Sequence, residues 1–334
     1  MTYGKATVWT ILTILLGMSQ IHCSGRDDGP IRDEEASNGV EPRVSLTVKY
    51  PIGKYEMIQD QDMTTKGTVK AGSKKQKMNT TQQMKQWMDV DVTPDSDGKV
   101  LITMGFNRIR QETTGGPMGG VIDTDDSASI ARNPAGKVLR AMKGAKITMK
   151  CDTDGKVTDV QGMNDLWDRV AREDPQLAPM IGQFKNTIGD KQMGEIIGRS
   201  QEYMPSEPVG VGAVWYAQFT MPIPMAGDME CEAKCKLISL TPSASGQIAT
   251  IKMRARVLSQ GAKSTSMGPA SIKVKSMDLI MNGTMEINAD TGLLMKQSID
   301  LDGAMSMTIS AQGNNVEMDA TIIGTQEATV KEIK

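Results

Sequence analysis

Histidine is almost missing from this 334-residue chain: the single copy, His22, falls inside an N-terminal stretch that reads as an export signal. A body without imidazole lacks the commonest general base and the commonest metal ligand near neutral pH. Aromatic residues are equally scarce, at 4% with three phenylalanines, which is thin provision for stacking sugar rings. Neither sign of charge dominates, since 38 Lys and Arg against 40 Asp and Glu leave a formal charge of −2. Such a chain has no basic field with which to displace counterions from a phosphate backbone, so nucleic acid is not an expected partner. The sequence also lacks G-x-S-x-G, H-E-x-x-H, a Walker loop and C-x-x-C, and a serine nucleophile would need lysine as its base. Catalytic residues, metal ligands and cofactors are therefore all assigned as none, and the chain is read as a non-enzyme.

What the N-terminus does contain is the pattern of a secretory signal over residues 1–25. Lys5 supplies the positive end, and Ala6 to Met18 (ATVWTILTILLGM) is apolar for the length of a signal core. That run is shorter than the roughly 20 residues needed to span a bilayer. Cys23 follows at a distance that resembles the lipidation site of bacterial lipoproteins, although Gln20 and His22 stand where that motif has an aliphatic and a small residue. Lipidation of Cys23, cleavage near Ser24 or Gly25, and an uncleaved anchor stay open. Each places the body outside the cytoplasm, in the periplasm or cell envelope, with membrane contact only through the N-terminus. Residues 26–42 (RDDGPIRDEEASNGVEP) are acidic and rich in turn formers, and are expected to form a flexible tether.

Period-2 alternation dominates the remaining chain, 43–334, expected as a single β-rich domain. Val44, Leu46, Val48 and Tyr50 alternate with polar residues, as do Val100 to Phe106, Ile147 to Cys151, Met229 to Leu237 and Ala249 to Ala255. Further runs lie at Met277–Ile287, Leu293–Leu301, Met305–Ile309 and Val316–Ile322. Three Asp- or Asn-glycine segments, Asp95–Val100, Asp152–Val157 and Asn288–Leu293, read as hairpin turns. They open like a calcium loop but lack its later ligands. Cys231 and Cys235, on one strand face, would stand about 13 Å apart at roughly 3.3 Å per residue. That exceeds the ~7 Å reach of a disulfide. Cys151 bridging one of them, or three buried thiols, both remain open.

Helices are expected in the middle, about 163–199. Asn164 or Asp165 can cap a first segment, Asp174 before Pro175 can start a second, and a 3-to-4-residue apolar recurrence runs to Ile196. Gly182, Gly189, Gly194 and Gly198 weaken that stretch, each by about 1 kcal/mol in a helix interior. A shorter helix is expected over Pro134–Met142. The fold class that results is mainly β (α+β): a large curved antiparallel sheet or half-barrel with a helical cover. Gly115 to Gly120 reads as a loop, and Asp123, Asp125 and Asp126 beside it as a solvated cluster, the one alternative basis for carboxylate chemistry.

Tyr55–Met57, the two D-G-K-V units at Asp97–Val100 and Asp154–Val157, Pro208–Gly212 before Trp215, and Asn288–Leu294 (NADTGLL) together carry a resemblance. The chain is similar to a family of exported bacterial proteins that bears only a domain-of-unknown-function label. The resemblance implies no site residue. More distantly, a curved sheet under helices resembles periplasmic carriers of lipoproteins and lipids. Methionine, at 27 copies against three phenylalanines, suits that comparison because thioethers adapt to irregular apolar shapes. Met277, Met281, Met285, Met305 and Met307 are candidate ligand-lining residues, with ordinary core as the other reading. The expected function is a non-enzymatic envelope protein holding a hydrophobic or lipid-like ligand. The alternative is a structural or interaction component partnered by envelope proteins.

Overall fold

The computed structural model describes residue 31 and residues 34–333, apart from 116–118, 134–135, 200–201, 224–226, 260–262, 268–269 and 312–313. The expected signal, with Cys23, lies outside the described residues. In chain order the elements are β1 (Val40–Val44), β2 (Gly53–Ala71), β3 (Lys74–Pro94), β4 (Val100–Thr114), β5 (Gly120–Asp123), α1 (Ser127–Arg132), α2 (Gly136–Met142), β6 (Lys146–Cys151) and β7 (Val157–Gln161). There follow α3 (Met163–Glu173), α4 (Ala178–Ile188), α5 (Asp190–Arg199), β8 (Val209–Val211), β9 (Val214–Ile223), β10 (Gly227–Ser243), β11 (Gly246–Leu258), β12 (Lys263–Met267), β13 (Ala270–Asn288), β14 (Leu294–Ala311) and β15 (Asn314–Glu332).

Thirteen strands form one antiparallel sheet in the order β7-β6-β4-β3-β2-β15-β14-β13-β11-β10-β9, with β5 on β4 and β12 on β13. The chain lays down one wing from β2 to β7, crosses through the helices to the far edge at β9, and returns strand by strand to β15. There it zips onto β2, from Tyr55–Glu332 to Ala71–Val316. The sheet is curved but not closed into a barrel. Its two edges are β7 and β9, and α5 touches both.

Alternation explains which side chains face inward. On β10 and β11, Met229, Cys231, Ala233, Cys235, Leu237, Ala249, Ile251, Met253, Ala255 and Val257 are all at most 1% exposed, while Glu230 and Lys252 between them are exposed. Inner-face residues from both wings and from α3, α4 and α5 form one contiguous core. The outer face carries charge along the length of the strands, as in the pairs Lys85–Asp60 at 2.8 Å and Lys275–Glu317 at 2.9 Å. This surface meets water, unlike the apolar outward band of a membrane barrel.

Several expectations shift. Residues 45–52 are not a strand: only Val40–Val44 is, paired with β8. Leu46 and Val48 are nonetheless buried, and Lys49 donates its N–H to the Gly292 carbonyl at 2.8 Å. Alternation there records burial on the core without ladder pairing. The expected tether is held from Glu34 onward, where its carboxylate meets Lys236 at 2.6 Å and Lys234 at 3.1 Å, and Ser37 bridges Val214. Residues 26–30 and 32–33 lie outside the described residues. The helical stretch divides into α3, α4 and α5, with the last break at Gly189. Neither Asn164 nor Asp165 caps α3. Its start is the left-handed Gly162, where a Cβ would lie 2.2 Å from the Lys146 carbonyl. Asp190 of α5 supplies the cap instead, accepting from Met163 N–H at 2.8 Å and Asn164 N–H at 3.3 Å. The shorter helix begins at Gly136; Pro134 lies outside the described residues. Cys151, Cys231 and Cys235 are free, buried thiols.

Candidate functional site

Between the inner face of the sheet and α5 lies a cavity of about 110 Å³. Its floor is Tyr55 and Met57 of β2, Val90 and Val92 of β3, Ile102 and Met104 of β4, Met149 of β6, and Ala328 and Val330 of β15. Ile196 and Ile197 of α5 close one side, Leu293 and Leu294 another, and Tyr50, Met295, Lys296 and Gln297 complete the lining. Local chemistry sets each wall. The β13–β14 turn is tied by the Asn288 Oδ1 atom, which accepts from the N–H groups of Asp290 at 3.0 Å and Thr291 at 3.1 Å. Gly292 there has φ +77°, and a Cβ would lie 2.6 Å from the Thr47 carbonyl. Only glycine lets this turn press on the 47–49 segment and present Leu293 and Leu294 inward. Tyr55 donates its hydroxyl to the Pro51 carbonyl at 2.9 Å, fixing the corner that carries Tyr50. Burial pushes the Tyr50 phenol up to about 12. On the helical side, a Cβ on Gly194 would lie 3.7 Å from Val160 of β7, so α5 rides close to the sheet edge. Trp167 donates its indole N–H to the Ile188 carbonyl at 3.0 Å, and its ring stands 5.1 Å from Phe184. The scarce aromatics are thus spent partly on locking α3 to α4.

The inner face is not uniformly apolar. Gln59, Gln61, Gln86, Gln111, Gln297 and Gln326 are all at most 8% exposed and occupy two adjoining cross-strand rows. One runs Ile109–Gln86–Gln59–Ala328–Gln297–Met285, the other Gln111–Met84–Gln61–Gln326–Ile299. Gln297 borders the cavity with both side-chain amide atoms buried and unpartnered, and Gln61, Gln111 and Gln326 each leave one such atom. Sequence reasoning passed over these glutamines, since their alternation with charged neighbours looks polar on both faces.

The expected methionines lie on the same inner face but elsewhere. Met277 and Met305 are direct cross-strand partners, Met307 stands opposite Val274 and Met318, Met281 opposite Leu301, and Met285 opposite Gln297. All five are buried. The thioethers that line the cavity are Met57, Met104, Met149 and Met295. The acidic cluster is committed to other partners. Asp123 receives a two-point bond from Arg108, at 3.0 and 2.5 Å, which holds its carboxyl below the usual range. Asp125 pairs with Lys143 at 2.5 Å, and Asp126 accepts from Ala128 N–H at 2.9 Å as the cap of α1. Of the glycine-rich loop, residues 116–118 lie outside the described residues. Two of the three expected turns spend their polar atoms on their own backbone: Asp152 accepts from the N–H groups of Asp154 and Lys156, as Asn288 does above. In the third, Asp95 pairs with Lys150.

Comparison with solved structures returns large β proteins at low similarity. A structure of lipid–protein interactions in lipovitellin aligns over 86% of this chain with 8% identity and a TM-score of 0.37. An outer membrane channel from Pseudomonas putida F1 aligns over 87% of this chain and 100% of its own, with 9% identity and a TM-score of 0.25. The chain spans about a quarter of lipovitellin, 26% of its length. No curated protein matches the sequence. Residues 97–294, more than half of the chain, match the model described as "Family of unknown function (DUF6263)", and the chain belongs to that family.

Proposed function

We propose that this protein is a non-enzymatic, exported cell-envelope protein that holds a small hydrophobic or lipid-like ligand between the inner face of its sheet and α5. The observation that carries the reading is the 110 Å³ cavity. Protein interiors pack to about 0.75 density with few voids larger than a water molecule. An engineered apolar cavity of about 150 Å³ takes up benzene or xenon, so this space suits a small ring or the end of a single acyl chain. Its walls are aliphatic and thioether side chains that adapt to more than one ligand shape. The carboxylates that offered the best alternative chemistry are held in ion pairs and a helix cap, which supports a binding role over a catalytic one. Export rests on the signal-like residues 1–25, and cell fractionation of the full-length chain tests it.

Native mass spectrometry of protein purified without detergent, with solvent extraction of the same sample, tests the binding role. A co-purifying apolar species, or a rise in melting temperature on titration with 1-octanol, is the expected result, because a ligand bound only by the folded state adds RT ln(1 + [L]/Kd) to stability. A clean apo mass together with an unmoved melting temperature overturns it.

A further inference from the structure

Most of the cavity lining is apolar; besides the phenols of Tyr50 and Tyr55 and the outward-facing Lys296, it includes one buried amide. Gln297 is 1% exposed, lines the cavity, and has both its Nε2 and Oε1 atoms buried with no partner. Buried polar groups are nearly always hydrogen-bonded, because leaving a donor or acceptor dry forfeits its hydration without return. Here a donor and an acceptor sit side by side on one planar amide. Next to it in the cross-strand row is Ala328, and beyond that Gln59. Ala328 lines the same cavity, and its short side chain occupies less of that space than a larger residue would.

Resting on the cavity reading above, we infer that the ligand carries an uncharged head group that both donates and accepts hydrogen bonds, and that Gln297 receives it. An amide facing an amide-like head closes two hydrogen bonds in one plane, with Nε2 donating to the head's oxygen and Oε1 accepting from its N–H or O–H. An ionised head does not fit. Lys296 also lines the cavity, but it occupies the outward-facing position of β14 and is exposed, so a carboxylate or phosphate beside Gln297 would give up its hydration without a counter-charge. The class selected is a neutral single-chain amphiphile: a fatty amide first, a long-chain alcohol second.

Calorimetric titration of the intact protein with octanamide, octyl methyl ether and octanoate at pH 8 tests this. Octanamide should bind about tenfold or more tighter than the ether, which only accepts, and than octanoate, which is charged, in keeping with two net hydrogen bonds. Gln297→Met keeps the side-chain length, and should lose that tenfold for octanamide while leaving the ether within about twofold. Equal affinities for all three, or octanoate binding tightest, overturns the head-group assignment and leaves the cavity reading standing. No binding of any of the three to wild type removes both. The wild-type ranking decides the matter even if the variant fails to fold.

Discussion

Ala328→Leu puts the cavity to a quantitative test. The side chain lies on the inner face of β15 and forms part of the cavity floor. Empty internal volume destabilises a fold by about 24 cal/mol per Å³. Applied to 110 Å³, that gives a ceiling of roughly 2.6 kcal/mol available to a substitution that fills the space. A leucine also brings roughly 2 kcal/mol of apolar burial, set against an overpacking cost of about 1–3 kcal/mol when no room exists. Because the room is there, the expected net is stabilisation by about 1 kcal/mol with loss of most 1-octanol binding. Urea unfolding at constant m-value measures the first, and the ligand-induced shift in melting temperature measures the second. A loss of 2 kcal/mol or more would show that the site is already full, and unchanged octanol binding would show that the ligand sits elsewhere. Either result refutes the reasoning.

Asp190→Ala removes the carboxylate that caps α3 from α5. It should cost about 1 kcal/mol and speed amide exchange in both helices. Exchange confined to α5 would contradict the tertiary cap. Burial raises the Cys151 thiol from 9.0 to about 11 and the Cys231 thiol to about 12. The folded state keeps those protons longer than the unfolded chain, so their contribution is complete below pH 9 and disappears as pH climbs through 11 to 12. Urea midpoints should fall over that window, less steeply in Cys151→Ala/Cys231→Ala, and an identical slope in the variant rules this out. Asp123 sits below its ordinary 3.8, chiefly through its hydrogen bonds from Arg108. Its contribution is therefore present above pH 4 and lost as pH falls through the depressed folded value. Arg108 is 39% exposed, so Asp123→Asn should cost only about 1 kcal/mol at pH 7 and leave ligand binding intact. A measured loss of binding in that variant would return the cluster to the site.

The strands that alternation makes legible are those whose inner positions are apolar. On β10, Met229, Cys231, Ala233, Cys235 and Leu237 announce both the strand and its buried side, and all five are essentially unexposed. The hairpin at Asn288 and the helical middle are equally plain, because a turn amide and a 3.6-residue repeat are local properties. What stays hidden depends on contacts between segments distant in sequence. The wing-to-wing pairing of β2 with β15 brings together residues more than 240 positions apart, as with Ala71 and Val316, and nothing at either end specifies the partner. The cap on α3 is similar: Asp190 lies 26 to 27 residues beyond the N–H groups it serves, so the nearby Asn164 and Asp165 were the only caps a local reading could offer.

Most instructive are β2 and β3, 19 and 21 residues long, where apolar alternation is confined to the ends, as at Met88–Val92. Their middles read QDQDMTTKGT and NTTQQMKQW, polar at nearly every position, because glutamine and threonine occupy inward places that valine or isoleucine fills elsewhere. A sequence rule that equates inward with apolar must fail on such strands. The failure is itself informative. An amide kept dry at an inward position, when an aliphatic side chain would pack there at lower cost, is retained against stability. The place where local rules and global fold disagree is where a function is expected to reside. The rows that conceal β2 and β3 run through Gln59 and Gln61, and the Gln59 row reaches across β15 to Gln297 at the cavity. The least strand-like residues of the sheet thus lead to Gln297, the buried amide to which the proposed head group is assigned.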